Sequence, residues 1–365
     1  MLKLQRNMDI YSLSTHIYYF SRLFGLAGYT LHQGKFFATY KCSKFRIFYC
    51  ILWSFLITCS FPTLFVVQTR VYNNPFYYSS LFVVLQIFVT IVLVSQVTSL
   101  INSKRILTIY NELDQYDTSL NSYPRKSHIF KAVLVQISLA LIYSLSLSYY
   151  TIKTVLQIFV NNGILFAMYC WFMYFCGYGI LWTTYSQFVY FVIMLKQRFS
   201  YLNERLRKEI TSSRIITCSK TATSSSSFIY SQETKLLAIP SLKTTGKLHK
   251  LLCDISEYTN STYSFTILLT TAHCFFEITW LMYAIALGAL IFVGEEHAVK
   301  YNGSSFSSVP ALIALYATKV VTIVVTCAQT AAEVSRLLHY VRVGGKPHYA
   351  YGVNHLQGSS RITNI

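Results

Sequence analysis

Residues 163–195 read GILFAMYCWFMYFCGYGILWTTYSQFVYFVIML and contain no charged side chain. At about 1.5 Å per residue, a helix of this length exceeds the roughly 30 Å hydrocarbon core of a bilayer. The run therefore predicts a membrane-spanning helix that crosses with tilt and then projects beyond the lipid.

Five further runs of similar length carry few or no charges. One of them, 259–293, is interrupted only by His273 and Glu277, and another, 309–332, only by Lys319. Together with the run above they predict an all-α, polytopic membrane helix bundle of six spans over 47–334, between a segment 1–46 and a tail 335–365. The six spans are 47–67, 77–101, 132–152, 163–195, 259–293 and 309–332.

The composition excludes three other classes of protein. Hydrophobic residues make up 53% of the chain and charged residues only 12%, whereas a soluble domain carries about 25% charged residues. Aromatics at 16% argue against disorder, and nine Cys in 365 residues are too sparse for a disulfide-stapled secreted domain. A nucleic-acid binder would place its basic residues on a polar, folded surface.

The net charge of +18 has an uneven distribution along the chain. Of the 31 Lys and Arg residues, 27 lie in the N-terminal segment 1–46, the loops 102–131 and 196–258, and the tail from 335. The three alternate loops hold one each, and Lys319 lies within a span. Because basic loops stay in the cytoplasm, both termini are expected to be cytoplasmic, with the first span as signal anchor.

Two Asn-x-Ser/Thr sequons test this topology. Asn302-Gly303-Ser304 lies in the predicted outer loop and is a glycosylation candidate. Asn260-Ser261-Thr262 lies at the predicted inner membrane face and is expected to stay bare.

Two amphipathic stripes flank the long loop 196–258. They recur at helical spacing, with a Ser/Thr-rich stretch between them that lacks periodicity and is interpreted as a flexible insert. Two alternatives stay open: the stripes lie on the membrane surface, or they pack together. The stripes are Phe199, Leu202, Leu206 and Ile210, and then Leu248, Leu251, Leu252 and Ile255.

Glu277 and Lys319 are the formal charges well inside predicted spans. Intramembrane ionisable residues are costly and usually face protein or water, so these two could pair with each other or contact a ligand, or serve structure alone. His273 shares a helix face with Glu277, either as a switch or as a hydrogen-bonded core residue. The four-residue spacing of His273 and Glu277, without further His or Cys ligands, is weak evidence for a metal site. No metal or cofactor is expected.

A stripe of aromatic residues at steps of four, four and three runs along span 163–195 and consists of Tyr174, Tyr178, Trp182 and Tyr185. Rings with polar tips suit both packing and small-molecule pockets. Gly177 and Gly179 would allow close helix approach beside them. With two tyrosines of the third span and the buried acid, the ligand-binding candidates are Tyr149, Tyr150, Tyr174, Tyr178, Trp182 and Glu277.

Four segments, in order, resemble the insect gustatory receptor family, relatives of the insect odorant receptors. They are LNERLRKE (Leu202–Glu209), KLHKLLCDISEYTNSTYSFTILL (Lys247–Leu269), FFEITWLMYAI (Phe275–Ile285) and CAQTAAEVSRLL (Cys327–Leu338). The resemblance implies a taste receptor subunit of the plasma membrane. It would be a ligand-gated cation channel that assembles as a homo- or heterotetramer. The resemblance also implies a small-molecule tastant bound among the helices toward the outer side.

One departure from the family concerns its seventh helix, which carries Thr-Tyr, hydrophobic residues and then Gln-Phe, and lines the ion pore. From Arg336 this chain reads RLLHYVRVGGKPHYAYGVNHLQGSSRITNI, which is too polar to span. We therefore expect that the chain does not conduct alone. A truncated or misassembled reading frame and a natural short product are both open explanations.

Three other functions were weighed against the channel. A G-protein-coupled receptor would place its N terminus outside, and the Asp-Arg-Tyr and Asn-Pro-x-x-Tyr signatures are absent from the sequence. A secondary transporter would show internal repeats and broken helices. An enzyme would carry a His-box, a Ser-His-Asp set or a phosphate loop, and none is present.

Overall fold

The computed structural model describes residues 10–27, 30–32, 35–37, 75–120, 164–221, 228–293 and 309–344, with single positions between 48 and 59 and between 135 and 149. The continuous ranges form six helices and one small hairpin, and the single positions between 48 and 59 and between 135 and 149 are helical as well. The elements are α1 (Ile10–Leu23), β1 (Thr30–His32), β2 (Lys35–Phe37), α2 (Pro75–Ile101), α3 (Ser103–Leu120), α4 (Ile164–Thr221), α5 (Phe228–Val293) and α6 (Val309–Gly344).

Three helices within the described residues are long and apolar enough to cross a membrane, and they lie in α4, α5 and α6. A fourth span results if the bent pair α2 and α3, with an angle of 58° between its members, is taken as one. The structure therefore confirms the helical fold, with three or four candidate membrane spans in the part of the chain that it describes. The predicted spans 47–67 and 132–152 lie mostly outside the described residues.

The chain divides into two compact units. The first unit comprises Met1–Phe191 and Ile255–Val325, and the second comprises Val192–Asp254 and Thr326–Ile365. Each of α4, α5 and α6 contributes a segment to both units.

In the first unit, α1 ends in a left-handed turn. Gly25 has a φ of 72°, a conformation that glycine adopts without steric cost. The amide of Leu26 donates to the Ser21 carbonyl at 2.7 Å and that of Gly25 to the Arg22 carbonyl at 3.2 Å. This pair of bonds is a Schellman motif, and it turns the chain toward the antiparallel hairpin of β1 and β2.

The core of the first unit forms where two glycines of α4 admit aromatic rings. A Cβ on Gly177 would lie 2.5 Å from the Phe88 ring, and one on Gly179 would overlap the Phe24 ring. Both phenylalanines are buried with Val92, Ile180 and Leu281 in one apolar cluster. Gly177 and Gly179, predicted to allow close helix approach, leave room for these two side-chain rings.

The second unit buries the stripes expected from the periodicity. Phe199, Leu202 and Leu206 of α4 and Leu248 and Leu252 of α5 are all buried. The Phe199 ring meets the His249 ring edge-on at 6.0 Å between centroids. These contacts favour the alternative in which the two stripes pack together.

The helices flanking loop 196–258 are longer than the sequence predicts. The helix α4 continues to Thr221 and α5 begins at Phe228, so the region interpreted as a loose insert is largely helical. The reason lies in its second half, QETKLLA (Gln232–Ala238), whose residues are mostly strong helix formers. Loop 102–131 likewise contains a helix, α3.

Candidate ligand site

A buried polar cluster joins α4, α5 and α6 in the first unit. We call it the tyrosine–carboxylate cluster, and it consists of Tyr178, His273, Glu277 and Tyr316. Tyr178 lies on α4, His273 and Glu277 lie one turn apart on α5, and Tyr316 lies on α6. All four side chains are buried, with Glu277 only 8% exposed.

Hydrogen bonds run through this cluster from helix to helix. The Tyr316 hydroxyl donates to the Tyr178 hydroxyl at 3.1 Å, and the Tyr178 hydroxyl donates to Glu277 Oε1 at 3.4 Å. We call this chain of hydrogen bonds, from Tyr316 through Tyr178 to Glu277, the relay. A change at Glu277 therefore alters a hydrogen-bonded chain that joins three helices.

The His273 side chain fills the space beside this relay. Its ring lies edge-on to Phe88 at 5.7 Å and tilted against Tyr178 and Tyr316 at 6.3 Å between centroids. His273 Nδ1 is 3.7 Å from Glu277 Oε1, which is too long for a hydrogen bond. Within the described residues, neither ring nitrogen has a hydrogen-bond partner, which makes this imidazole an open donor and acceptor.

A small cleft lies beside the cluster and opens between α4 and α6. We call it the lysine cleft; its cavity of about 10 Å³ has room for about one water molecule, far below the roughly 300–1,000 Å³ of a drug-sized pocket. The Lys319 ammonium lies 5.2 Å from the Tyr185 ring centroid and 5.9 Å from that of Trp182. The lining residues are Trp182, Tyr185, Leu315, Thr318, Lys319 and Thr322.

The two rings compensate only part of the cost of burying Lys319, which is 6% exposed. Cation–π contacts are worth about 0.5–2 kcal/mol. A lysine near the centre of a membrane span costs about 2.5–3.5 kcal/mol on insertion scales. The lysine cleft therefore contains a charged group that its described surroundings satisfy incompletely.

A second cleft, between α2, α4 and α5, is lined almost entirely by hydroxyl and amide side chains. In it, Asn102 Nδ2 donates to the Thr262 carbonyl at 3.0 Å. Ser95 Oγ is fully buried there and has no hydrogen-bond partner within the described residues. The lining residues are Ser95, Thr98, Ser99, Asn102, Ile106, Thr184, Thr262, Tyr263 and Thr266.

The structure brings together three of the six ligand-binding candidates. Tyr178 and Glu277 share a hydrogen bond, and Trp182 lines the adjacent lysine cleft. Tyr149 is helical and 58% exposed, and no hydrogen bond or ring contact joins it to the cluster within the described residues. The side chain of Tyr174, together with Tyr150 and Asn302, lies outside the described residues.

The two intramembrane charges do not pair in this structure. Glu277 turns to Tyr178 and His273, whereas Lys319 turns to the rings of α4. In contrast, Glu333 and Arg336, three residues apart on α6, form an ion pair at 2.9 Å.

Sequence reasoning missed Tyr316 and Phe88. Tyr316 lies three residues before Lys319 and so on the same helix face, a spacing that could have identified it. Phe88 gives no such signal, because an apolar residue in an apolar span carries no information about its partner. Within the described residues, no group of three or more His, Cys, Asp or Glu side chains could hold a metal ion.

Comparison with known proteins identifies the family of this chain. The family model described as 7tm Chemosensory receptor matches residues 16–346, which includes the second half of α1, every candidate span and both clefts. None of the curated proteins compared with the chain matches it significantly. The family is one of receptors and not of enzymes, and it is polytopic in the membrane. The chain therefore belongs to the 7tm chemosensory receptor family.

Proposed function

We propose that this protein is a gustatory receptor subunit of the ligand-gated cation channel type, located in the plasma membrane of chemosensory neurons. Membership of the chemosensory receptor family supports the receptor role. The observation that carries the gating role is the hydrogen-bonded relay from Tyr316 through Tyr178 to Glu277, which connects α6, α4 and α5.

The proposed ligand is a small-molecule tastant that contacts the tyrosine–carboxylate cluster and Trp182. Tyr149, Tyr150 and Tyr174 remain proposed contacts from the sequence. A ligand that bonds Glu277 competes with the relay, and the open His273 ring offers such a ligand a donor and an acceptor beside it. It then favours whichever helix arrangement makes the better contacts with it, which is the thermodynamic requirement for gating.

We further propose that the subunit works in a tetramer with copies of itself or with other gustatory receptor subunits. In the family the pore is lined by a seventh helix, which has no counterpart among the six apolar runs of this sequence. The proposal is therefore that current depends on a pore helix in addition to the six spans.

Whole-cell recording tests this function in two arms. Cells express either the 365-residue chain or the same chain followed by a family seventh helix, and a tastant panel is applied. We expect a tastant-evoked inward current in the second arm that disappears when extracellular Na⁺ and K⁺ are replaced by N-methyl-D-glucamine.

Two results would contradict the proposal. A response that disappears when the pipette contains a non-hydrolysable GDP analogue would indicate a G-protein-coupled receptor. Uptake of a labelled tastant driven by an ion gradient, without a conductance larger than the transport flux, would indicate a secondary transporter. A current from the 365-residue chain alone would remove the role of the additional helix.

A further inference from the structure

We propose that the lysine cleft binds an oxyanion, the carboxylate or phosphate group of a small ligand with an apolar body, and that Lys319 is its charged contact. The inference rests on the proposed function, because it names the ligand class of the receptor. It concerns binding, however, and binding can be measured without a current.

The first support is the set of contacts around the ammonium. Lys319 is almost completely buried, and its described contacts are the ring faces of Trp182 and Tyr185. An ammonium has three N–H donors and no acceptor. Within the described part of the chain, no carboxylate lies within salt-bridge distance of it, and no side-chain or backbone oxygen accepts a hydrogen bond from it. The position for an acceptor is therefore open.

The second support is that neighbouring charges do not fill that position. From α5, His273 and Cys274 are near enough to interact electrostatically with Lys319, but neither an imidazole nor a thiol carries negative charge. The described acid nearest in the fold, Glu277, is engaged with the Tyr178 hydroxyl. A ligand that carries its own negative charge offsets the burial of the ammonium, which a neutral ligand cannot do.

The third support is the chemistry of the cleft walls. The hydroxyls of Thr318 and Thr322 already donate to the carbonyls of Ala314 and Thr318, each at 2.7 Å. Lys319 is the charged donor in the cleft, and Leu315 and the Trp182 ring provide apolar surface. A cationic ligand would meet the ammonium at the ring faces that otherwise attract cations.

Two sources could supply such a group: a soluble organic acid, or the headgroup of an anionic lipid beside α4 and α6. Both present an oxyanion attached to an apolar body, so the shared chemistry is the proposal. Because the cleft has room for about one water molecule, it holds the oxyanion itself while the apolar body extends outside it, and hexanoate is a convenient probe of this kind.

The experiment measures ligand-induced stabilisation of the full chain in nanodiscs of pure phosphatidylcholine. Stabilisation by a ligand follows from its preferential binding to the folded state. The unfolding temperature is recorded against hexanoate and against 1-hexanol, which has the same chain length without the charge. A second set of discs contains phosphatidylglycerol in place of added hexanoate. The variants are Lys319→Met, Lys319→Arg and, as a matched surface control, Lys208→Met.

We expect hexanoate to raise the unfolding temperature of the wild type, of Lys319→Arg and of Lys208→Met. We expect an apparent affinity at least about tenfold weaker in Lys319→Met, as for removal of one member of a buried charge pair. Hexanol should not distinguish the variants. If phosphatidylglycerol alone stabilises the wild type but not Lys319→Met, the proposal holds with a lipid headgroup as the source.

Any of three results would overturn the proposal. Hexanoate and hexanol could raise the unfolding temperature equally, or Lys319→Met could bind hexanoate as tightly as the wild type. The third result is that neither hexanoate nor phosphatidylglycerol stabilises the wild type. If Lys319→Met does not fold, tryptophan fluorescence decides the matter. A change on addition of hexanoate that is present in the wild type and lost in Trp182→Phe supports the proposal, and its absence from the wild type overturns it. Binding without current would contradict only the proposed function.

Discussion

Tyr178 has the densest set of interactions in the tyrosine–carboxylate cluster. Its hydroxyl accepts from Tyr316 and donates to Glu277, and its ring packs on Phe88 at 4.7 Å between centroids. One hydroxyl group therefore serves two helices other than its own. The ring is a packing element and the hydroxyl is a connecting one, and the two roles can be separated by substitution.

The substitution Tyr178→Phe keeps the ring and removes the connection. We expect the free energy of unfolding to fall by about 0.5–2 kcal/mol, since hydrogen bonds between membrane helices contribute about this much and Glu277 loses its donor. Thermal unfolding in detergent or nanodiscs measures the loss. The same change at the exposed Tyr258 is the control and should be silent; equal effects at both positions would refute the connecting role.

Gly177 leaves room on α4 for the Phe88 ring of α2. In Gly177→Ala the new methyl group meets the Phe88 ring, which cannot move freely because it packs on Tyr178 and His273. We expect a loss of about 1–3 kcal/mol in unfolding free energy, the usual cost of overpacking. The control is Gly246→Ala, where nothing lies within 4 Å and a gain of about 0.5–1 kcal/mol is expected.

A double variant tests whether the ring is the cause. The change Phe88→Leu in the Gly177→Ala background should restore part of the lost stability. Strictly additive effects of the two changes would show that Gly177 acts in another way.

At the residue level the sequence predicted chemistry better than partners. The helical spacing placed Tyr178 and Trp182 on one face, and the cost of buried charge drew attention to Glu277 and Lys319. The partnership of Tyr178 with Glu277 joins residues 99 positions apart, and no local pattern encodes such a separation. The idea that Glu277 pairs with Lys319 was wrong for the same reason. The sequence of two spans does not show how each helix is rotated relative to the other.

At the element scale, the second unit holds α4 and α6 together by polar contacts. Asn203 Nδ2 donates to the Glu333 carbonyl at 2.8 Å and to Glu333 Oε2 at 3.0 Å. Lys196 Nζ donates to Gln329 Oε1 at 2.6 Å along the same pair of helices. The apolar stripes around Leu202 and Leu252 are buried in the same unit.

The substitution Asn203→Asp is expected to destabilise this unit more than Asn203→Ala does. Aspartate would replace the donor with a carboxylate facing that of Glu333, so that repulsion adds to the lost hydrogen bond. Proteolysis or thermal unfolding monitors the change. Pairing Asn203→Asp with Glu333→Gln should recover most of the stability, and failure to recover it would exclude the carboxylate contact as the cause.

Element boundaries were less predictable than element faces. The stripe from Phe199 to Leu206 followed from periodicity and is buried. The Ser/Thr-rich stretch suggested a break, yet α5 begins at Phe228. Composition alone does not register the run of helix formers that follows. Likewise, the basic residues of loop 102–131 predicted the side of the membrane on which the loop lies, but not the helix α3 within it.

At the scale of the whole molecule, the distribution of basic residues predicts both termini in the cytoplasm. Expression with and without glycosidase treatment tests this topology. We expect a mobility shift that is lost in Asn302→Gln and retained in Asn260→Gln, because only the predicted outer loop meets the glycosylation machinery. A shift that depends on Asn260 would invert the orientation of all spans.

In the proposed function, the buried carboxylate of Glu277 in the first unit takes part in ligand gating. The most direct test of this role is the tastant dose–response of current, recorded from the chain followed by a family seventh helix, for Glu277→Gln beside Glu204→Gln, a control acid that is exposed and paired with Lys208. We expect Glu277→Gln to shift the half-maximal tastant concentration at least about tenfold, as when a buried polar contact is lost. Surface expression should be unchanged. Glu204→Gln should cause no shift. Identical dose–response curves for the wild type and Glu277→Gln would contradict this role.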